Sequence, residues 1–227
     1  MKKAGIVVLS GGMDSCVTAA IALEQGYDLG LLHLNYGQRT EARELKAFHD
    51  IADFYKIEKR LVVDISYLRE IGGSSLTDMS RKVEEREVDK NSLPSTYVPF
   101  RNGNIISIAV SWAEVINASD IFIGAVEEDS SGYPDCTEVF YEKFNALLAV
   151  GLPKDKHIQV SAPLIHLSKP QIVANGIELG APLHLTWSCY QSEEKACGVC
   201  ESCRLRLKGF ENAGQTDPVP YAMDELK

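Results

Sequence analysis

The chain has 227 residues, 45% hydrophobic and 24% charged, a composition that supports one sizeable globular core. Its formal net charge of −9 argues against broad contact with nucleic acid, and no run approaches the ~20 apolar residues that span a bilayer. The start of the chain lacks a signal-peptide pattern, and six cysteines then imply a reducing, cytoplasmic setting where thiols serve metals or catalysis.

Ile6-Val7-Val8-Leu9 is a continuous apolar run ended by Ser10-Gly11-Gly12, the pattern of a strand buried on both faces. Val17, Ala20 and Ile21 recur at helical spacing, so a helix follows the glycines. Leu29 to Leu34 reads as a second strand. Leu45, Phe48, Ala52 and Tyr55 mark one face of a second helix, and Leu61 to Asp64 a third strand. From about Leu68 to Pro94 periodicity vanishes; a stretch of this length suggests a lid, a mobile insertion or an interface. A helix from about Asn102 to Asn117 precedes the strand Ile121–Gly124. An acidic loop, a helix around Thr137–Val150 and the strand Ile158–Val160 follow. Ser168-Lys169-Pro170-Gln171 is a capping box opening a helix that runs to Gly180, before Pro182. Alternating strands and helices predict a single α/β domain, a Rossmann-like doubly wound parallel sheet with helices on both faces. Residues 187–210 read as a small cysteine-rich module appended to it.

Ser10-Gly11-Gly12-Met13-Asp14-Ser15 lies between the first strand and the first helix. In a parallel sheet that position offers free N–H groups and a helix dipole to an anion. Glycines let the main chain approach phosphate, Ser10 and Ser15 add hydroxyl donors, and Asp14 suits a Mg2+ ion bridging phosphates. The loop has neither a Gly-Lys-Ser/Thr ending nor a G-x-G-x-x-G pattern, which excludes a Walker loop and a dinucleotide fingerprint.

Cys197, Cys200 and Cys203 form a C-x-x-C-x-x-C run, with Cys189 eight positions before Cys197. Four thiolates suit a tetrahedral zinc ion in a closed, structural site; an iron–sulfur cluster is the minority alternative. Of the remaining cysteines, Cys16 reads as a buried small hydrophobe, and a catalytic pair with Cys136 is the alternative.

Ser10 to Ser15 resembles the signature loop of the PP-loop ATPases, or N-type ATP pyrophosphatases. With Tyr36-Gly37-Gln38-Arg39, Tyr97 to Asn102, Ser131 to Cys136 and Trp187 to Tyr190, the chain from Ile6 to about Arg204 resembles the 7-cyano-7-deazaguanine synthase family of queuosine biosynthesis. It departs from the family's pattern at Thr137, where Arg is common, and at position 100 it has Phe, where Gly is expected as often.

The resemblance implies an adenine nucleotide alpha-hydrolase-like sheet. ATP would lie along Leu9, Ser10, Gly11, Gly12, Met13, Asp14, Ser15, Cys16, Val17, Thr18 and Ala19. It implies conversion of 7-carboxy-7-deazaguanine and ammonia to the nitrile through an activated carboxylate and an amide. Asp14, Ser15, Arg101 and Lys169 are the expected catalytic residues. Tyr36, Gln38, Arg39, Arg101, Asn102 and Asp135 are expected to meet the substrate, Asp135 by accepting from the base and Arg101 by pairing with its carboxylate. No glutaminase segment is visible, so ammonia is expected from solution, and a homodimer is implied. Two other readings stand beside this one: a PP-loop tRNA thiolase, and a non-catalytic, zinc-stabilised nucleotide-binding module.

Overall fold

The computed structural model describes residues 2–83, 93–127 and 132–222. Its five strands are β1 (Ala4–Val8), β2 (Asp28–Asn35), β3 (Arg60–Asp64), β4 (Asp120–Ile123) and β5 (Gln159–Ser161). All pair in parallel, in the order β3-β2-β1-β4-β5. Val8 at the end of β1 stands level with Leu32 and Ile123 on its two neighbours. The chain winds outward from β1 in both directions, so the switch point lies between β1 and β4. Ligands of open parallel sheets bind in that crevice, beyond the carboxyl ends of the strands.

Alternation along β1 explains the layers. Ile6 and Val8 face one side and pack with Ile105, Ile106 and Ala109 of α4 (Arg101–Ile116) and with Tyr141 and Leu148 of α5 (Glu138–Gly151). Val7 and Leu9 face the other side and meet α1 (Met13–Glu24) and α2 (Glu41–Phe54) through Cys16, Ala19, Phe48 and Ile51. Both faces of the central strand are therefore dry, as its unbroken apolar run requires. The expected doubly wound sheet is the observed one.

Four differences have physical causes. The stretch read as lacking regular structure contains a short helix, α3 (Tyr67–Ile71). Its described flanks are packed, with Leu68, Leu76, Val83 and Val98 in the core; residues 84–92 lie outside the described residues. The helix opened by the capping box is α6 (Lys169–Glu178); it stops before Gly180, whose φ of +64° turns the chain left-handed. The cysteine-rich module contains a full helix, α7 (Glu201–Asn212), whose buried face is Cys203, Arg206, Gly209 and Phe210. Phe100 caps α4 in the left-handed region at φ +50°, with its ring laid over Gly103, where an added Cβ would meet it at 2.2 Å. The backbone there favours glycine, which accounts for glycine being expected at this position as often as phenylalanine.

Candidate active site

The loop after β1 enters α1 through Gly12 as N-cap, with no side chain capping the helix, so first-turn N–H groups stay available. Gly11 has φ +89°, and a Cβ there would come within 2.6 Å of the Glu44 carbonyl oxygen. Gly124, just beyond β4, lies so close that a Cβ would meet the Ser15 nitrogen at 2.8 Å. Ser15 Oγ donates to the Gly12 carbonyl (3.0 Å), the Ser10 and Ser15 hydroxyls are 3.1 Å apart, and Gly12 N–H donates to Ser10 Oγ (3.2 Å). The loop is thus a preformed cradle of donors at the switch point, a built site for anionic oxygen.

Lys169 reaches this cradle from the first turn of α6, its Nζ 2.8 Å from Asp14 Oδ2. Gly209 of α7 leaves room for it, since a Cβ there would stand 2.9 Å from Lys169 Cβ. Asp14 Oδ1 is buried and has no partner among the described residues. An unpartnered carboxylate oxygen beside a cradle of N–H and hydroxyl donors fits a hard divalent cation.

Across the cleft, α4 begins with Arg101. Its Nη1 donates to the Tyr36 hydroxyl (3.1 Å), and the guanidinium lies over the Tyr36 ring, 5.1 Å from the centroid. Burial pushes the Tyr36 phenol up to about 12, so it keeps its own proton. Arg101 makes no ion pair among the described residues. A cleft-lining cation of this kind is suited to a planar anion, because its fork matches a carboxylate or phosphate. The cleft, about 260 Å³, runs from Ser10, Asp14 and Ser15 to Tyr36, Glu44, Arg101 and Asn102. A recess of about 170 Å³ continues it past Tyr133, Lys169 and Glu201, with Arg101, Cys136 and Tyr190 lining both.

The four cysteines expected to bind metal converge, with Sγ atoms of Cys189, Cys197, Cys200 and Cys203 all within 4.8 Å of one another. Backbone N–H groups of Gln191 and Cys197 point at Cys189 Sγ (both 3.4 Å), and that of Cys200 at Cys197 Sγ (3.3 Å). Such donors stabilise thiolate charge, so the cluster can hold a metal ion; sulfurs bound tetrahedrally at about 2.3 Å stand about 3.8 Å apart. The module is no mere appendage. Trp187 N–H donates to the Gly11 carbonyl (2.8 Å), Thr40 Oγ1 bonds the Cys189 carbonyl (3.2 Å), and Ser188, Tyr190 and Ser202 form a wall of the cleft.

The family model for the queuosine biosynthesis protein QueC matches residues 4–214. The chain belongs to the QueC family. A 7-cyano-7-deazaguanine synthase of Chlorobium phaeobacteroides (strain DSM 266) is 57% identical over 95% of this chain and 96% of its own length. One of Chloroherpeton thalassium is 56% identical over the same shares. Among solved structures, a 4-thiouridine synthetase in complex with RNA and bound ATP shares the fold at TM-score 0.50 and 15% identity, over 99% of this chain and 49% of that one.

Within this QueC site the expected residues divide. Asp14, Ser15, Arg101, Lys169, Tyr36 and Asn102 line the cleft or its recess. Gln38, Arg39 and Asp135 are not among the lining residues. Gln38 is buried, its amide oxygen taking the Tyr36 N–H (2.8 Å) and its nitrogen donating to Glu44 (3.2 Å). Arg39 grips the carbonyls of Ser75 (2.8 Å), Asp78 (2.9 Å) and Arg81, holding down the segment after α3. Asp135 is 3% exposed; its Oδ2 accepts the Asn102 N–H (2.9 Å), and Asn102 Nδ2 returns a bond to its carbonyl (2.9 Å). That carboxylate caps α4 and thereby sets Arg101. Of the residues expected along ATP, Cys16, Val17, Thr18 and Ala19 are buried in α1, behind the cradle. Glu44, Ser188 and Tyr190 line the cleft and were not among the expected site residues. Ser188 and Tyr190 carried a sequence clue, as part of the Trp187 to Tyr190 motif, and Glu44 carried none.

Proposed function

We propose that this chain is a 7-cyano-7-deazaguanine synthase, using ATP to convert 7-carboxy-7-deazaguanine and ammonia to the nitrile. One observation carries the reading beyond the relatives' shared name: a phosphate cradle and an arginine with no ion-pair partner among the described residues open onto one cleft. A carboxylate does not exchange oxygen for nitrogen unless that oxygen becomes a good leaving group. The cradle and Lys169 place phosphate, while Arg101 holds the substrate carboxylate at the same site; catalysis of this kind rests on positioning and charge. Apolar Leu32, Leu34, Ile105 and Ile123 give the cleft dry walls against which a flat base is covered. Asp135 acts as a positioning residue for α4, in place of the base contact expected of it.

Asp14, through its unpartnered Oδ1, would hold Mg2+, which supplies charge neutralisation on the phosphates. The four cysteines would hold zinc in a closed shell, a structural role that also fixes the Ser188–Tyr190 wall. Four soft thiolates whose sulfurs all lie within 4.8 Å of one another suit a single tetrahedral ion, which favours zinc over a cluster. Ammonia comes from solution, and the working form is a cytoplasmic homodimer. The thiolase reading loses support because burial pushes Cys16 up to about 12 and Cys136 to about 11, leaving neither as a ready thiolate.

The test is a mass spectrum of protein incubated with Mg-ATP, ammonium and 7-carboxy-7-deazaguanine. The nitrile is expected, and the accompanying AMP or ADP identifies the phosphate attacked. Unchanged substrate with metal-replete, folded protein overturns the reading.

A further inference from the structure

Conversion of a carboxylate to a nitrile strips every hydrogen from the incoming nitrogen, which arrives at neutral pH largely as ammonium. A proton acceptor must therefore stand in the cleft. The described lining residues offer few. Asp14 is engaged by Lys169 at Oδ2 and would hold the cation through Oδ1, Arg101 cannot give up its proton, and the Tyr36 phenol and Cys136 thiol are pushed up by burial. Glu201 belongs to the adjoining recess and has interactions of its own.

We propose that Glu44 is the proton acceptor for the nitrogen nucleophile, an inference that rests on the synthase reading above. Glu44 lies on the first turn of α2 and lines the same cleft as Ser10, Tyr36 and Arg101. Its carboxyl is fixed at both oxygens, with Thr40 Oγ1 2.8 Å from Oε1 and Gln38 Nε2 3.2 Å from Oε2. Each oxygen keeps a lone pair, so the group is oriented without being used up. Tyr36 from the segment after β2, Arg101 from α4 and Glu41 from its own helix are the ionisable groups acting on it. Burial pushes the Glu44 carboxyl up to about 7, against the hydrogen bonds from Thr40 and Gln38. A base at that value is substantially ionised at neutral pH and still holds a transferred proton well.

The step balances as follows. An N–H bond of ammonium breaks, the proton passes to the Glu44 carboxylate and the electron pair stays on nitrogen. That pair forms the C–N bond at the activated carboxyl carbon. The C–O bond to the phosphate-bearing oxygen breaks, and its electrons leave with the phosphate. The positively charged adduct is far more acidic than ammonium and sheds its next proton to solvent, while Glu44 returns the first.

The experiment compares wild type with Glu44→Gln in three assays: substrate-dependent release of AMP or ADP without ammonium, nitrile formation with ammonium across pH 6–9, and trapping with hydroxylamine. Hydroxylamine is already neutral at pH 7 and needs no deprotonation before attack. The variant should release nucleotide and trap hydroxylamine within about 3-fold of wild type, while its ammonium-dependent kcat falls about 100-fold or more. The acidic limb of the wild-type pH profile, near 7, should vanish in the variant. Ammonium-dependent rates within about 3-fold of wild type, or equal losses in all three assays, overturn the proposal. If Glu44→Gln does not fold, Glu44→Asp should keep the acidic limb at reduced kcat, and loss of that limb counts against it. Failure of the wild type itself to cleave ATP in the presence of 7-carboxy-7-deazaguanine sinks the synthase reading, whatever the variants do.

Discussion

Lys169 Nζ and Asp14 Oδ2, 155 positions apart in the chain, stand 2.8 Å from each other. The pair ties the first turn of α6 to the first turn of α1, beside the donor cradle that follows β1. It also engages only one Asp14 oxygen and leaves Oδ1 buried without a partner. A buried acceptor left unsatisfied costs about 1–3 kcal/mol, a cost that a bound cation removes. Asp14→Asn should therefore fold with little change in stability yet bind Mg-ATP at least about 100-fold more weakly in calorimetry. Equal affinity in the two proteins would remove Asp14 from the cation site.

Gly11 and Gly26 both hold positive φ, +89° and +84°, but differ in surroundings. A Cβ on Gly26 meets nothing within 4 Å, whereas one on Gly11 runs into the Glu44 carbonyl oxygen at 2.6 Å. Gly26→Ala should cost about 1 kcal/mol in urea unfolding, from backbone strain alone. Gly11→Ala should cost about 3 kcal/mol or more and abolish nucleotide binding, because α2 must move or the cradle must open. Similar losses in the two variants would show that strain, not the close approach, governs this loop.

Removal of metal should damage the cleft as well as the module. Trp187 N–H holds the Gly11 carbonyl, and Ser188 and Tyr190 flank Cys189 while lining the cleft. Cys200→Ser, or treatment with a strong chelator, should release about one zinc per chain, lower the melting temperature and raise the KM for both substrates. Thermal melts and steady-state kinetics on the same samples test this. A metal-free protein with unchanged KM would confine the metal to folding the module.

The first half of the site was readable because local chemistry there has one reading. An apolar run ended by glycines must be a buried strand meeting a turn, and Cys189 with the C-x-x-C-x-x-C run has few uses other than metal. The rest depended on contacts far apart in sequence. Gln38, Arg39 and Asp135 are polar loop residues, and sequence does not separate a side chain that meets a ligand from one that satisfies its own loop. Here they bond Glu44, three carbonyls and the Asn102 N–H. Glu44 sits on an amphipathic helix, where glutamate normally means solvent; only Thr40, Gln38 and the cleft give it a role. Helix α7 escaped notice because its inner face carries Arg206 and Gly209. The arginine is buried against Asp217, both 3% exposed, at 2.7 Å. No apolar periodicity marks such a face.

Two buried groups should bend the stability of the protein with pH in opposite senses. Glu44 is raised from 4.5 to about 7, chiefly by burial. Its protonated form suits the fold, so that contribution is whole below pH 4.5 and is lost as pH rises through 7. His33 is lowered from 6.5, also chiefly by burial; its contribution is present above pH 6.5 and is lost as pH falls below it. Glu44 therefore lowers stability as pH rises from about 5 to 7 and adds no slope above that. His33 raises stability with pH only below 6.5, so the two contributions oppose each other on the acidic side of neutrality and both are level up to about pH 8.5. Relative to wild type, Glu44→Gln should gain on the order of 3 kcal/mol between pH 5 and 7, by melts or urea unfolding, and hold that gain unchanged to pH 8.5, since one pKa unit corresponds to about 1.4 kcal/mol. A stability difference between variant and wild type that stays constant from pH 5 to 7 would mean that Glu44 does not titrate in the raised range.

Arg101 should show its role through the geometry of its fork. The guanidinium lies against the Tyr36 ring and hydroxyl, and the α4 turn that carries it is capped by Asp135. Lysine keeps the positive charge but presents a point rather than two parallel donors, and it does not lie flat on a ring. If Arg101 pairs with the substrate carboxylate, Arg101→Lys should lower kcat/KM for 7-carboxy-7-deazaguanine about 100-fold while the Kd of Mg-ATP changes less than about 3-fold. If Arg101 instead holds phosphate, the Kd of Mg-ATP should rise by a similar factor to the loss in kcat/KM. Asp135→Asn offers the complementary measurement: it keeps an acceptor for the Asn102 N–H, so it should retain most activity if Asp135 only positions α4. A loss as large as that of Arg101→Lys, with the fold intact, would return Asp135 to direct contact with the base.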